Sequence, residues 1–367
     1  MLDPIIAFFT RLFEMIGRAI GTFVAWLLWP FLAFGRWYNR RGWMIKAPVI
    51  LVVLAFVLGY GHFFYATQFW NNYNPDYAET YEFASKNVGA GTKLSDGSCA
   101  PSAIVQVAAD LIDFNVNQND WVPSMLLSKV GFFGLDWKDT PFMDNKAAFQ
   151  LGVNQVLRRT SVELVDRLGR VRGTSGIDQN LQDARQNLAY TEDLWYFSLD
   201  PFGPKSPTPT SYRTARRKLL DFNTDLAKCT ANFDGRPDNL LEFLDRITSD
   251  IGSTSDILRQ RMEASNAGWF DPRADDRFWF TYGQLYAYQG ILSAARADFE
   301  DVFTNRNLDQ VWLRTEDQLR ASLNMTPWII SNGNESSWIM PSHLATMGFY
   351  LLRVRANLVE MRDILAR

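Results

Sequence analysis

Two unlike patterns of apolar and polar positions divide the chain. Residues 47–67 read APVILVVLAFVLGYGHFFYAT, 21 positions without a charged side chain. At about 1.5 Å of helical rise each, they cross about 30 Å of hydrocarbon. Beyond residue 100 the apolar positions recur at steps of three and four, with almost no alternating pattern, which predicts an all-α domain. The clearest example is the last helix, opened by Pro341 and Ser342, where Leu344, Met347, Leu351, Val354, Leu358, Met361 and Leu365 form one seam. Leu240, Leu244, Ile247, Ile251, Leu258 and Met262 make a second stripe, and Val153, Leu157, Leu164, Leu168 and Val171 a third. A fourth, aromatic-rich stripe near 275–303 carries Phe278, Tyr282, Leu285, Leu292, Phe299 and Val302. Each stripe requires a partner helix.

Ahead of the span, residues 5–35 form a second hydrophobic stretch. Arg11, Glu14 and Arg18 fall on one helical face from 5 to 20, so this part suits the membrane interface. Residues 19–35 are apolar throughout and contain Pro30. They either span a second time or continue the interfacial helix into a kink, and the interfacial alternative is preferred because the stretch sits at the lower length limit for spanning. Breakers elsewhere predict loops: GTSGI at 173–177, DPFGPKSPTPTS at 200–211, FDGRPDN at 233–239 and the Gly-Asn stretch at 332–335. The four prolines of 200–211 predict a stiff, protruding loop.

Charge orients the span. Residues 36–46 (RWYNRRGWMIK) carry four positive charges and no negative one, whereas Asp76, Glu79 and Glu82 stand against Lys86 on the other flank. The basic end therefore belongs in the cytoplasm. Trp37, Trp43, Tyr65 and Trp70 are candidate membrane-interface residues, since amphipathic rings settle at headgroup level. The span is a signal anchor, because its exit lacks the small-residue pattern of a cleavage site. Expected boundaries are 1–46 for the cytoplasmic-side membrane segment, 47–67 for the transmembrane helix, 68–100 for a juxtamembrane linker and 101–367 for a periplasmic helical domain. Residues 1–67 hold six basic and two acidic side chains, a net charge of +4. The remaining 31 basic and 38 acidic side chains give −7, which leaves no footprint for nucleic acid.

A run of motifs then carries a likeness. Phe142-Met143-Asp144-Asn145, Phe149-Gln150-Leu151-Gly152-Val153 and Leu157-Arg158, followed by Leu164, Asp166, Leu168, Arg170, Arg172 and Ser175, resemble an uncharacterised family of proteobacterial single-span membrane proteins, a domain of unknown function. Arg236-Pro237-Asp238-Asn239-Leu240 and Ile251-Gly252-Ser253 are similar to it as well, so the likeness covers most of residues 70–367. The resemblance implies a Gram-negative inner-membrane protein and transfers no functional residue. The hydrophobic segment 5–35 is longer than is usual in that family.

Candidate chemistry is sparse. Cys99 and Cys229 lack the spacing of a metal site and permit one bridge, but Cys229 also fits the apolar stripe of Leu219, Phe222 and Leu226 as a buried thiol. Cys99 as a nucleophile would have only His343 as an extramembrane base, and Ser98, Cys99 and Ser102 read more simply as capping and turn residues. Asp110, Asp113 and Glu163 are candidates for a glycosidase-type carboxylate pair, against a simpler place on solvated helix faces. Arg158, Arg159, Arg167, Arg170 and Arg172 suit an anion site, yet Glu163 and Asp166 lie among them at ion-pair spacing. His62 sits near the outer end of the span, within reach of water. No phosphate-loop, zinc or calcium motif occurs, so neither cofactor nor metal is expected.

The expectation is a non-enzymatic envelope component whose surface binds another membrane or periplasmic protein, or a copy of itself. The alternative is a cell-wall or lipid-acting enzyme or ligand carrier. Aromatic residues make up 14% of the chain. Trp269, Phe270, Phe278, Trp279, Phe280, Trp328 and Trp338 extend them into the helical domain, where such rings serve cores and interfaces alike. Trp269 and Phe270, between two predicted helices, are the first candidates for an interaction site.

Overall fold

The computed structural model describes residues 3–83, 88–132, 134–170, 176–264, 271–333 and 341–367, with side chains described from residue 10 onward except at Leu199. Two compact units divide the chain, residues 1–62 and residues 63–367. The first contains helix α1 (Asp3–Asn39) and most of α2 (Trp43–Gln68). Both are long and apolar enough to cross a membrane, α1 over Thr10–Asn39. Helix α1 runs without a break through Pro30, so residues 5–20 and 19–35 are one element and not two. Glu14 and Arg18 pair across one of its turns at 3.6 Å.

The second unit is helical with a single small hairpin among its described residues. Its helices are α3 (Ala103–Asp113), α4 (Leu126–Val130), α5 (Asn145–Glu163), α6 (Gln179–Leu188), α7 (Thr208–Ala227), α8 (Pro237–Ala264), α9 (Ala274–Asp298), α10 (Glu300–Arg306), α11 (Asp309–Leu323) and α12 (His343–Leu365). Strands β1 (Phe197–Leu199) and β2 (Phe202–Pro204) pair antiparallel, Phe197 opposite Pro204. The Pro-rich segment is thus a hairpin followed at once by α7, which accommodates Pro209 in its first turn where no backbone donor is needed. The expected extended loop is corrected accordingly.

Helix α12 begins where Ser342 Oγ accepts from the Ala345 amide at 3.2 Å, and all seven seam residues are buried. It packs on α8 and α11. Helix α9 runs through the middle of the unit and is buried on almost every side, well beyond the one stripe read from its sequence. It crosses α5 closely at two glycines: a Cβ on Gly152 would stand 2.0 Å from the Phe280 carbonyl oxygen, and one on Gly283 2.1 Å from that of Phe149. Only glycine allows backbones to approach so far.

Within 68–100, residues 70–81 pack on the helices. The ring of Trp70 lies 4.8 Å from Phe149 and 5.4 Å from Trp279, while Tyr73 and Tyr77 stack on Tyr286 at 5.6 and 4.5 Å. Tyr81 donates to Asp110 Oδ2 at 2.7 Å. Asn and Tyr suggested a loop by composition, but these side chains work as core and hydrogen-bonding groups. Cys99 and Cys229 form a disulfide. Helix α7 stops at Ala227, and Cys229 sits exposed at φ 59°, so it does not extend the stripe of Leu219, Phe222 and Leu226 as a buried thiol.

Candidate functional site

The richest polar arrangement is a cleft of ≈ 460 Å³ against α5, α8 and α9, lined by Arg159, Glu163, Arg167, Arg246, Asp250 and Tyr288 among others. Glu163 ends α5, and the chain continues through a π-turn at Leu164–Leu168, an irregularity often found at functional sites. The Asp250 carboxylate is buried and accepts from Tyr288 Oη at 2.7 Å, Gln155 Nε2 at 2.9 Å and Gln284 Nε2 at 3.3 Å. Arg159 Nε adds a charge at 3.5 Å. So many donors hold Asp250 as an acceptor that ties three helices together. Glu163 differs. Burial raises its pKa, while Arg246 at 3.5 Å and Arg167 at 4.0 Å pull it back. Arg167 also pairs with Glu242. Two carboxyl groups in one cleft thus have unlike partners, Asp250 hydrogen-bonded by neutral side chains and Glu163 flanked by two guanidinium groups.

A second cluster lies where α5 and α9 begin. Asp144 and Asp275 are buried, and no cationic, amide or hydroxyl side chain among the described residues donates to their carboxylates. A carboxylate at a helix N-terminus ordinarily accepts from the first-turn amides, but the Asp144 side chain caps nothing. Burial, then the charges of Asp276 and Asp275, raise the Asp144 pKa; Asp276 is raised by burial; Asp275 is pushed up to about 7 by burial and by Asp276. These shifts all favour the protonated form, and a proton shared between Asp144 and Asp276 would supply the donor that an ionised pair lacks. Among the described residues no group of three or more His, Cys, Asp or Glu side chains is arranged to hold a metal ion.

Exposed rings form the third feature. Phe202 is 79% and Tyr196 64% exposed, and Phe197 meets Phe202 edge-on at 4.9 Å across the hairpin. Trp328 is 95% exposed. Solvent-facing aromatic groups of this size are characteristic of contact surfaces.

A family model described as an uncharacterized protein conserved in bacteria, DUF2333, matches residues 39–269 and 260–367. The chain belongs to this family. No curated protein and no solved structure matches it. The DUF2333 match takes in α2, the cleft, the Asp144 cluster and the hairpin, and starts at the last residue of α1.

The residues singled out from sequence scatter over this DUF2333 fold. Trp269 and Phe270 lie outside the described residues, as do Trp338, Arg172 and the start of the 173–177 turn. Trp37, Trp43 and Tyr65 are exposed along α1 and α2, but Trp70 turns onto the core because Phe149 and Trp279 offer it a seat. Phe278 is fully buried, hence core. Cys99 is bridged and has no thiolate to offer, which removes the nucleophile. His343 Nδ1 accepts from the Ser331 amide at 2.9 Å and holds the preceding loop to α12. Asp110, Asp113 and Glu163 are not solvated faces: Asp113 accepts from Asn117 and Gln118 beside Arg216, and Glu163 is buried. Of the basic run, Arg158 pairs with Glu192 at 2.7 Å and Arg159 and Arg167 reach the cleft. Asp250, Asp275 and Asp276 were missed because each is an ordinary helical acid until a second helix buries it.

Proposed function

We propose that this chain is a non-enzymatic interaction subunit of a bacterial cell-envelope complex, anchored in the inner membrane by α2, with its basic 36–46 segment cytoplasmic and its helical unit periplasmic. The charge difference across the span supports that orientation. The bridge between Cys99 and Cys229 suits the oxidising side of the membrane, since disulfides seldom persist in the cytoplasm. The observation that carries the interaction reading is the hairpin, whose Tyr196, Phe197 and Phe202 stand in solvent without serving the core. Rings of this kind bind by filling pockets on a partner, here another membrane or periplasmic protein or a second copy.

Gentle detergent extraction of the wild type and of Tyr196→Ser/Phe202→Ser, with the mass of the intact particle measured for each, tests this. The wild type should extract with a stoichiometric partner or as discrete copies, and the variant should lose them with unchanged thermal unfolding. A lone wild-type monomer would overturn the reading. Trp269→Ser/Phe270→Ser belongs in the same comparison.

The rival, a cell-wall or lipid-acting enzyme or a ligand carrier, is favoured by one observation, the unlike pair Glu163 and Asp250 in the cleft. It requires that Glu163→Gln abolish turnover or binding of cell-wall or lipid fragments by the intact protein. Absence of any such activity in the wild type would remove it.

A further inference from the structure

One face of the last turns of α2 is packed by a collar of chain from the same compact unit, which covers Phe63, Ala66 and Thr67 and leaves Phe64 and Tyr65 exposed. The collar consists of α4, the paired residues Phe132 and Leu135, a 3-10 turn at Trp137–Asp139 and the approach to α5. Phe63 and Ala66 of α2 are buried, the Phe63 ring 5.4 Å from that of Trp137. Gln68 Nε2 donates to the Phe142 carbonyl at 2.8 Å, and Lys146 Nζ donates to that of Phe69 at 2.7 Å. Trp137 Nε1 donates to the Leu127 carbonyl at 2.8 Å and holds α4 to the rest. Phe132 and Leu135 exchange both backbone hydrogen bonds, at 2.9 and 3.0 Å, beside Gly131 at φ 68°.

These polar anchors all point inward, and the collar's large apolar groups point out. Leu126, Val130, Phe132, Leu135 and Phe142 are exposed, Leu135 at 64%, as are Phe64, Tyr65 and Phe69 at the end of α2. An apolar patch of this extent marks a docking surface. What covers it follows from its position. The apolar run of α2 ends at Ala66, before Thr67, Gln68, Asn71 and Asn72, so the collar meets the helix at the level where a spanning segment leaves the hydrocarbon for the headgroups. Apolar groups at that level face lipid, and bulky side chains on a short turn enter the boundary between headgroups and acyl chains by about 5–10 Å.

We propose that the collar, taken as residues 126–132 and 134–142, inserts Val130, Phe132 and Leu135 into the outward leaflet at the end of α2, so that the helical unit is seated on the bilayer surface. This rests on the reading of α2 as a membrane span. Seating sets the height of the hairpin as well, since Lys129 of α4 pairs with Asp193 at 3.0 Å just ahead of β1, and the rings of Tyr196 and Phe202 are then presented close to the membrane.

The test uses the full chain in vesicles of phosphatidylethanolamine and phosphatidylglycerol, carrying one environment-sensitive fluorophore on an introduced cysteine. The native cysteines are bridged and do not compete for label. Labels are placed by Leu135→Cys, by Leu54→Cys within α2 and by Asp301→Cys on α10, and nitroxide lipids act as quenchers. The expected result is blue-shifted, lipid-quenched emission at positions 135 and 54, with aqueous, unquenched emission at 301. Quenching at 54 with aqueous emission at 135 would overturn the collar and leave the anchor standing. Aqueous emission at 54 and 135 together would overturn both. A blue shift at 135 that nitroxide lipids do not quench would overturn lipid as the occupant in favour of a protein.

Discussion

The two ends of the helical unit are built on opposite principles. At the end remote from α2, covalent and ionic ties leave little unsatisfied. Cys99 and Cys229 bridge the chain ahead of α3 to the chain after α7. The Asp298 carboxylate, at the end of α9, takes the Ser102 hydroxyl at 2.6 Å and the Ala103 and Ile104 amides at 2.6 and 3.0 Å, and so caps α3 from another helix. At the end where the chain enters from α2, Asp144 and Asp275 are buried without a cationic or amide side chain to pair them, and the collar and hairpin expose Leu135, Phe202 and their neighbours. One end is organised for stability. The other leaves buried carboxyl groups and exposed rings, costs to folding that the proposed contact surface would account for.

Substitutions can break or sharpen this contrast. The largest expected effect is at the closed end: Cys99→Ser with Cys229→Ser should lower stability by about 3–4 kcal/mol, because the bridge closes a separation of 130 residues in the unfolded chain, and chemical denaturation would measure it. Asp298→Ala should cost about 3 kcal/mol in the same assay, since three donors lose a charged acceptor in a buried site.

At the open end the sign reverses. A carboxyl whose pKa is higher folded than unfolded favours the folded state most at low pH, and that contribution is lost as pH rises from its unfolded value toward its folded one. Asp275, at about 7, and Asp144, raised in the same direction, therefore weaken the fold progressively above pH 4. Asp144→Asn should add about 1–2 kcal/mol at pH 8 and nearly nothing at pH 4, read from thermal unfolding at the two pH values. A loss at both pH values would mean that Asp144 has a structural partner. The smallest effect belongs to the hairpin, where Tyr196→Ser/Phe202→Ser should leave stability within about 0.5 kcal/mol of wild type.

Much of the fold is legible in the sequence because its cause is periodic. The α12 seam and the α8 stripe each mark one face of a helix, and one face is what a 3.6-residue period reveals. Helix α9 shows one stripe in the sequence but is buried on almost every side, so its central place emerges only when α5 meets it at Gly152 and Gly283. The stretch 68–100 resembled a linker because tyrosine and asparagine carry no periodic signal, and Tyr73 or Tyr77 becomes core only by meeting Tyr286, over 200 positions away. The stripe through Leu226 pointed on to Cys229, but the left-handed turn there ends α7 two residues earlier. The candidate site was least legible for the same reason: Asp250 and Asp144 owe their character to helices distant in sequence, whereas the hairpin rings were hidden by a proline pattern that suggested an extended loop.

The central claim is that the open end of this unit meets a partner at the membrane through the hairpin. Site-specific photocrosslinking in native membranes, with the reactive side chain at position 202 and a control at position 301, tests it most directly. The account predicts one discrete protein adduct from position 202, absent from position 301. Adducts of equal yield at both positions, or none from 202 beyond lipid, would contradict it.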